Sequence, residues 1–271
     1  MTPEQFRDAL LDGEDRAAAE HLAAATGTAR HDALVVLGSG LAPLADAWAQ
    51  ADPNACSGRL SDLPGVLAPT ADGHVDRWLS LAVGGRRTLV TLGRTHLYEG
   101  VPRRSVTALV RVAAAAGVGR VMLTNANGCL VERALGDVVA IGDHVNLTGS
   151  SPFDGTVFLD PRDTWDTGLR SAVGAIDGVR GEAVYAQLRG PEYQTMAETR
   201  LLAASGVEVV GMSTVHEALV ARALGLRVAG LSVVSDLSFA TAPVDADTVL
   251  AAAGRARETL RAAVEAALGA P

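Results

Sequence analysis

The chain has 271 residues, enough for one large domain with a substantial core, and its 48% hydrophobic and 20% charged content describes a globular protein rather than a disordered one. A formal net charge of −8 argues against a general basic surface for nucleic acid, and the absence of any eighteen-residue apolar run argues against a membrane span. All 23 basic residues are arginine, which excludes a Schiff-base lysine, a pyridoxal-phosphate site and a P-loop lysine; only two cysteines occur, Cys56 and Cys129, which points to a reducing compartment without a disulfide framework.

The N-terminus is polar and acidic, unlike a secretory signal. It predicts a helix over Pro3–Ala25, with Thr2 as N-cap, Pro3 in the first turn and Gln5 completing a capping box. Short β-branched runs then alternate with Ala/Leu-rich amphipathic segments. Strands are predicted at Ala33–Leu37, Leu79–Val83, Thr88–Leu92, Arg120–Thr124, Val138–Ile141, Ala183–Gln187, Val207–Val210 and Arg227–Val234. Further helices are predicted at Pro43–Gln50, Arg103–Ala116, Thr164–Val173, Met196–Ala204, Val215–Leu224 and Thr248–Leu268, the last with Val249, Ala253, Ala256, Leu260, Val264 and Leu268 on one face. The Pro/Gly/Asp-rich stretch Gly149–Asp163 reads as a loop. This alternation predicts an α/β fold with a central sheet and helices on both faces, and no linker divides the chain.

Polar motifs gather where strands end, the usual place for a site in an open α/β sheet. Gly38-Ser39-Gly40 follows an apolar strand and could cradle phosphate on backbone N–H groups, make a plain turn, or open a dinucleotide site; Pro43 at the third glycine position argues against the last. Gly93–Gly100 packs Arg94, His96, Tyr98 and Glu99 into one loop: the arginine fork suits phosphate oxygens and tyrosine can reach a sugar hydroxyl. Thr124–Gly128 consists of small residues that let a ligand approach the backbone. Gly211-Met212-Ser213 precedes a helix N-terminus, whose unpaired N–H groups suit an anion. T-x-x-E capping boxes open two helices, Thr195 with Glu198 and Thr214 with Glu217.

These four motifs, GSGL at 38–41, GRTHLYEG at 93–100, TNANG at 124–128 and GMSTVHE at 211–217, resemble in order and spacing the trimeric purine nucleoside phosphorylases and their relatives, the methylthioadenosine phosphorylases. The resemblance runs from about residue 30 to the C-terminus. It implies a single domain over residues 1–271 with a mixed central sheet, a cytoplasmic homotrimer, and no cofactor beyond inorganic phosphate as co-substrate. The substrates would be a purine nucleoside and phosphate, with no nucleic-acid or membrane partner. The reaction would be phosphorolysis of the N-glycosidic bond. Phosphate would meet Ser39, Arg94, His96, the amide of Ala126 and Ser213, with His74 matching a further family histidine. Tyr98 would contact the ribose, Met212 would lie beneath it, Asn125 would stand behind sugar and base, and Tyr193 would stack on the base. Glu99 would orient the loop or a histidine. His96 and Asp236 would take the catalytic roles.

The chain departs from the commonest family pattern at several positions. Asn127 stands where alanine is commoner and Cys129 where glycine is; Cys129 reads as a buried filler, since no base is evident beside it. Gln194 and Asp236 stand where inosine- and guanosine-preferring members carry glutamate and asparagine. Gln194 offers a donor to an unprotonated N1, and Asp236 can accept from a 6-amino group or, if burial raises its pKa, donate toward N7. Both changes point to 6-aminopurines. Val244 or Ala246 falls where a ribose-binding histidine is frequent, which leaves room for a 5′ substituent. Phe153 or Phe158 would reach a neighbouring subunit. The alternatives are an ordinary inosine/guanosine phosphorylase and, from another class, an NAD(P)-binding oxidoreductase built on the Gly38 loop.

Overall fold

The structure, a computed structural model, describes residues 2–155, 157–240 and 246–270. Among these, nine strands form: β1 (Ala33–Val36), β2 (Cys56–Gly58), β3 (Trp78–Val83), β4 (Arg86–Thr91), β5 (Arg120–Cys129), β6 (Val138–Asn146), β7 (Val179–Gln187), β8 (Val209–Gly211) and β9 (Arg227–Leu237). The eight predicted strands all appear. β2 is additional; its sequence has no apolar run, and it exists because Cys56 to Gly58 pair antiparallel with β3. β5 continues five residues beyond the predicted Thr124, because β9 supplies it with a parallel partner as far as Cys129.

The helices are α1 (Pro3–Leu10), α2 (Gly13–Thr26), α3 (Leu44–Ala51), α4 (Arg103–Val106), α5 (Ala108–Ala115), α6 (Thr167–Gly174), α7 (Met196–Ala204), α8 (Val215–Ala223) and α9 (Ala246–Gly269). The single helix expected over Pro3–Ala25 is two. Asp12 is extended and exchanges side-chain hydrogen bonds with Asp15, so a second capping box restarts the helix. The Thr2–Gln5 box is present as read. Arg103–Ala116 is likewise divided at Thr107, and α6 starts three residues later than expected, behind the N-cap Asp166. No helix among the described residues is long and apolar enough to cross a membrane.

The sheet runs β2-β3-β4-β1-β5-β8-β7-β6-β9, and β9 returns to pair with β5. Strands β5, β8, β7, β6 and β9 therefore close into a ring, with β2, β3, β4 and β1 extending from it. Pairing is mixed: β1 is parallel to β4 and β5, whereas β3–β4, β5–β8 and β6–β9 are antiparallel. Alternate residues of β1 serve two cores. Leu34 and Val36 pack with α2, α5 and α8; Ala33 and Val35 pack with α3, α6 and α9. Helices thus cover both faces, as strands buried on both sides require. Along α9, Ala253, Ala256, Leu260, Val264 and Leu268 are buried as the periodicity predicts.

Because β1, β4, β5 and β9 all point the same way, their C-terminal ends meet at one edge. The Gly38 and Gly93 loops and the ends of β5 and β9 are brought together there.

Candidate active site

A cleft of about 340 Å³ opens at that edge. Every residue to which the family resemblance assigned a phosphate, ribose or base contact lines it: Ser39, His74, Arg94, His96, Tyr98, Asn125, Ala126, Tyr193, Gln194, Met212, Ser213 and Asp236. Val244 lies outside the described residues, and the residue of α9 that lines the cleft is Val249.

One end of the cleft is a dense polar cluster. Arg94 is 1% exposed. Its Nε donates to Glu217 at 3.2 Å, its Nη1 to the Thr124 carbonyl at 2.7 Å and to Ser213 Oγ at 3.4 Å, and its Nη2 to the Val36 carbonyl at 3.5 Å. Four of its five N–H donors are thus directed at protein acceptors, which differs from the open fork expected of the loop and leaves one Nη2 hydrogen. Glu217 holds Arg94 with one carboxylate oxygen and accepts the Thr214 N–H on the other, at 3.0 Å. A single buried carboxylate therefore fixes both the guanidinium and the turn that presents Ser213. Thr214 has φ 88°, a left-handed conformation that is strained for a β-branched residue. Its hydroxyl accepts from Asn125 Nδ2 at 2.9 Å and meets Ser213 Oγ at 3.0 Å, and Tyr185 donates its hydroxyl to the Ser213 carbonyl at 3.0 Å.

His74 belongs to this cluster. Its Nδ1 accepts the Arg94 N–H at 3.3 Å, so the proton resides on Nε2, which donates to Ser39 Oγ at 3.1 Å. Burial, with His96 and Arg94 nearby, holds His74 down to about 3, and the ring is neutral. Ser39 accordingly keeps its own hydroxyl hydrogen for a ligand. His96 sits 4.9 Å from His74, ring to ring. Glu99 accepts from the His96 N–H and from Nδ1 at 3.0 Å, and also from Thr70 N–H and Oγ1. Burial alone would raise this carboxyl, but the bonds from His96 and Thr70 outweigh it and hold it at about 2. Glu99 orients both loop and histidine, leaving His96 Nε2 without a protein partner among the described residues.

Two sequence expectations need correction here. The helix terminus after Ser213 does not offer unpaired N–H groups: Gln187 Oε1 accepts from Val215 and His216 N–H at 2.8 and 3.1 Å, and Glu217 takes Thr214 N–H. What this turn offers an anion is the Ser213 hydroxyl. The Gly38 loop is not a full backbone cradle either. Gly38 N–H donates to Thr124 Oγ1 and Gly40 N–H to the Gly73 carbonyl, which leaves Ser39 as the donor of the loop. Gly38 is glycine because a Cβ would lie 2.8 Å from the backbone of Thr124 and Asn125.

Ala126 is presented by β5 itself. The Thr124 carbonyl points to the β1 edge, where Arg94 meets it, and strand backbone directions alternate, so the Ala126 N–H points the same way into the gap between β1 and β8. Further along, His96 stacks on Tyr98 with ring centroids 4.7 Å apart and planes 13° from parallel. Burial and the charge of Glu99 push the Tyr98 phenol up to about 12, so it stays a donor. Tyr98 and Met212 both crowd Gly190, which has no room for a Cβ.

The other end of the cleft is more open and more sparsely bonded. Asp236 is half-buried; desolvation raises its carboxyl above the ordinary value, against bonds from Ser238 and the Leu237 N–H that lower it. Ser238 Oγ lies 3.3 Å from Asp236 Oδ2 and 2.9 Å from Gln194 Nε2. Gly128 on β5 faces the pair, and a Cβ there would fall 2.5 Å from Ser238 Oγ. Tyr193 stands at the lip, 68% exposed. Behind, Asn127 Nδ2 donates to Ser232 Oγ at 2.7 Å, and Ser232 donates to Asn125 Oδ1, so Asn127 is tied to Asn125 through Ser232. Cys129 is buried, its thiol is pushed up by desolvation, and it bonds weakly to the Val131 carbonyl, as expected of a filler.

Glu217, Ser238, Gln187 and Ser232 complete the site without having been assigned to it from sequence. Glu217 carried a local signal, the capping box; its second bond, to a residue 123 positions away, had none.

The sequence pattern of the phosphorylase superfamily matches residues 58–269. The purine nucleoside phosphorylase of Mycobacterium leprae is 43% identical over 236 residues, 84% of this chain and 85% of that protein. The purine nucleoside phosphorylase of a Cellulomonas species is 41% identical over 84% of this chain and 82% of its own. Among solved structures, Schistosoma mansoni purine nucleoside phosphorylase in complex with adenosine superposes with a TM-score of 0.84 at 26% identity, covering 96% of this chain and 98% of that one. Isoform 2 of that enzyme, in complex with cytosine and ribose 1-phosphate, gives 0.85 over 96% and 97%.

Proposed function

The chain belongs to the phosphorylase superfamily, and from that premise we propose that it is a purine nucleoside phosphorylase, a pentosyltransferase that uses phosphate to cleave the N-glycosidic bond, with a preference for 6-aminopurine nucleosides. The observation that carries this reading is one cleft holding Ser39, Arg94, His96 and Ser213 at one end and Gln194 and Asp236 at the other. Between Thr124, bonded to Arg94, and Gly128, beside Asp236, β5 advances about 13 Å at the usual strand rise, room for phosphate, pentose and base in line.

In the reaction so read, the C1′–N9 bond breaks and its electron pair leaves with the purine, while a phosphate oxygen forms a bond to C1′. Positive charge builds on the ribose and negative charge on the base. Phosphate binds Ser39 Oγ, the remaining Arg94 donor, His96 Nε2, Ala126 N–H and Ser213 Oγ. No cofactor is invoked; phosphate is nucleophile and counter-charge. Asp236, with its raised pKa, donates a proton toward N7 as the bond breaks. Tyr98 and Met212 hold the ribose, Asn125 backs it and Tyr193 covers the base.

The 6-amino preference rests on hydrogen-bond polarity. Gln194 keeps one amide hydrogen beyond the one given to Ser238, suited to an unprotonated N1. With its proton on one carboxyl oxygen toward N7, Asp236 keeps the other oxygen as an acceptor, which suits a 6-amino group and opposes a 6-oxo group, itself an acceptor. A 5′ substituent would lie near the start of α9, where Val249 lines the cleft without a polar group, which favours a 5′-deoxy alkylthio group. Homotrimeric assembly in the cytoplasm is part of the proposal. In it Phe158, 86% exposed, is the better aromatic to cross to a neighbour, since Phe153 packs on the core.

The test is release of free base from adenosine, inosine, guanosine and 5′-methylthioadenosine, each with and without phosphate. Phosphate-dependent release, fastest for the 6-amino substrates, is expected. Faster turnover of inosine overturns the base assignment, and release independent of phosphate indicates a hydrolase.

A further inference from the structure

Ser238 follows Asp236 by two residues, where β9 ends. Its N–H donates to the Cys129 carbonyl at 3.0 Å, which pins it to the end of β5. Its Oγ is 2.9 Å from Gln194 Nε2 and 3.3 Å from Asp236 Oδ2. One hydroxyl therefore bridges the two side chains that face the base, one arriving ahead of α7 and the other from β9.

A hydroxyl carries a single hydrogen. When Asp236 is a carboxylate, that hydrogen goes to Oδ2, and Gln194 must donate through Nε2 to Ser238. Its carbonyl and one N–H are then left for the ligand. When Asp236 carries a proton, it can donate to Ser238 Oγ. The serine hydrogen then turns to Gln194, whose amide reverses to accept through Oε1. Both amide N–H groups are then left for the ligand. The O–H hydrogens and the Gln194 amide reorient, no covalent bond between heavy atoms changes, and the one added proton comes from solvent.

We propose that Ser238 is a specificity-determining residue: its hydroxyl couples the amide orientation of Gln194 to the protonation of Asp236, so that the base meets the two side chains as one unit. This rests on the reading of the cleft end as the base site. Among the described residues, no charged side chain bonds Asp236. It faces Gly128 from β5, Ser238 on β9 and, through Ser238, Gln194. The other titratable groups lining the cleft are His74, Arg94, His96, Tyr98 and Tyr193. The first three bond within the phosphate cluster, and the phenol of Tyr98 is held far above neutrality.

The experiment measures the adenosine-to-inosine ratio of kcat/KM, on both sides of neutral pH, for the native enzyme, Asp236→Asn, Ser238→Ala, Ser238→Thr and the double variant Ser238→Ala/Asp236→Asn. Asp236→Asn should move the ratio about tenfold more with Ser238 present than with alanine in its place. Ser238→Ala should flatten the pH dependence of the ratio, and Ser238→Thr, which keeps the hydroxyl, should restore it. Equal shifts from Asp236→Asn in both backgrounds would overturn the coupling while leaving the base site in place. No shift from Asp236→Asn in the native background, with phosphorolysis intact, would overturn the base-site reading and the coupling with it.

Discussion

The two ends of the cleft are built differently. At the end proposed for phosphate, Arg94, Glu217, Thr214 and Asn125 are buried and bonded to each other and to β1, β5 and β9, so each has its position fixed by several bonds. At the end proposed for the base, Tyr193 is exposed, and Gln194 and Asp236 are joined through one serine. A saturated polar network has a single low-energy arrangement and is costly to alter; a sparse one can be re-pointed by a single substitution. On the proposed reading, phosphate binds at the rigid end, and Gln194 and Asp236 lie in the adjustable one.

Substitutions at the rigid end should have the largest effects. Arg94→Ala removes the only cation of the phosphate cluster that is permanently charged, and kcat/KM for phosphate should fall about 100- to 1000-fold, with nucleoside binding less affected. Steady-state kinetics with each substrate varied in turn would check this, and an equal loss for both substrates would contradict it. Glu217→Gln leaves the guanidinium uncompensated among buried atoms, and both partners of this pair are 1% exposed. A loss of about 3 kcal/mol in unfolding free energy is expected, together with a raised KM for phosphate. Denaturant titration reads the first and kinetics the second.

At the adjustable end, stability should barely change while preference does. Asp236→Asn should move the adenosine-to-inosine ratio of kcat/KM toward inosine by about ten- to a hundredfold, at a melting temperature close to native. A large drop in melting temperature would mean that the base end is as constrained as the phosphate end.

The smallest effects separate the ends by their response to pH. His74 is held below its ordinary 6.5, at about 3. Its contribution is present above pH 6.5 and is lost progressively as pH falls toward 3, because the unfolded chain takes the proton first; the slope is about 1.4 kcal/mol per pH unit at most. Asp236 is raised above 3.8, so its contribution has the opposite sign: it is present below 3.8 and lost as pH rises through the folded value. Thermal melts over mildly acid pH should show a shallower acid decline for His74→Gln than for the native protein, and a steeper one for Asp236→Asn.

The strands were legible because each rests on local chemistry, and the residues lining the cleft because four motifs resemble, in order and spacing, those of a known family. Apolar runs of β1, β4 and β9 name themselves, and motifs such as GRTHLYEG place four polar side chains within one loop. The extension of β5, the existence of β2 and the division of the first helix were less so, since each depends on a partner strand or on a reciprocal bond between two aspartates. The occupied N–H groups at the start of α8 illustrate the same limit: a helix terminus looks free in sequence until Gln187, 28 residues earlier, is folded onto it.

By itself, the order of residues determined which polar side chains gather at strand ends, because periodicity and turn chemistry act within a few residues; the chemistry expected of the cleft came from the resemblance of four motifs to a known family. Tertiary structure alone decided which donors remain for a ligand. A hydrogen bond can be spent once, and whether Arg94, Gly38 or the first turn of α8 has already spent it depends on acceptors brought from distant parts of the chain.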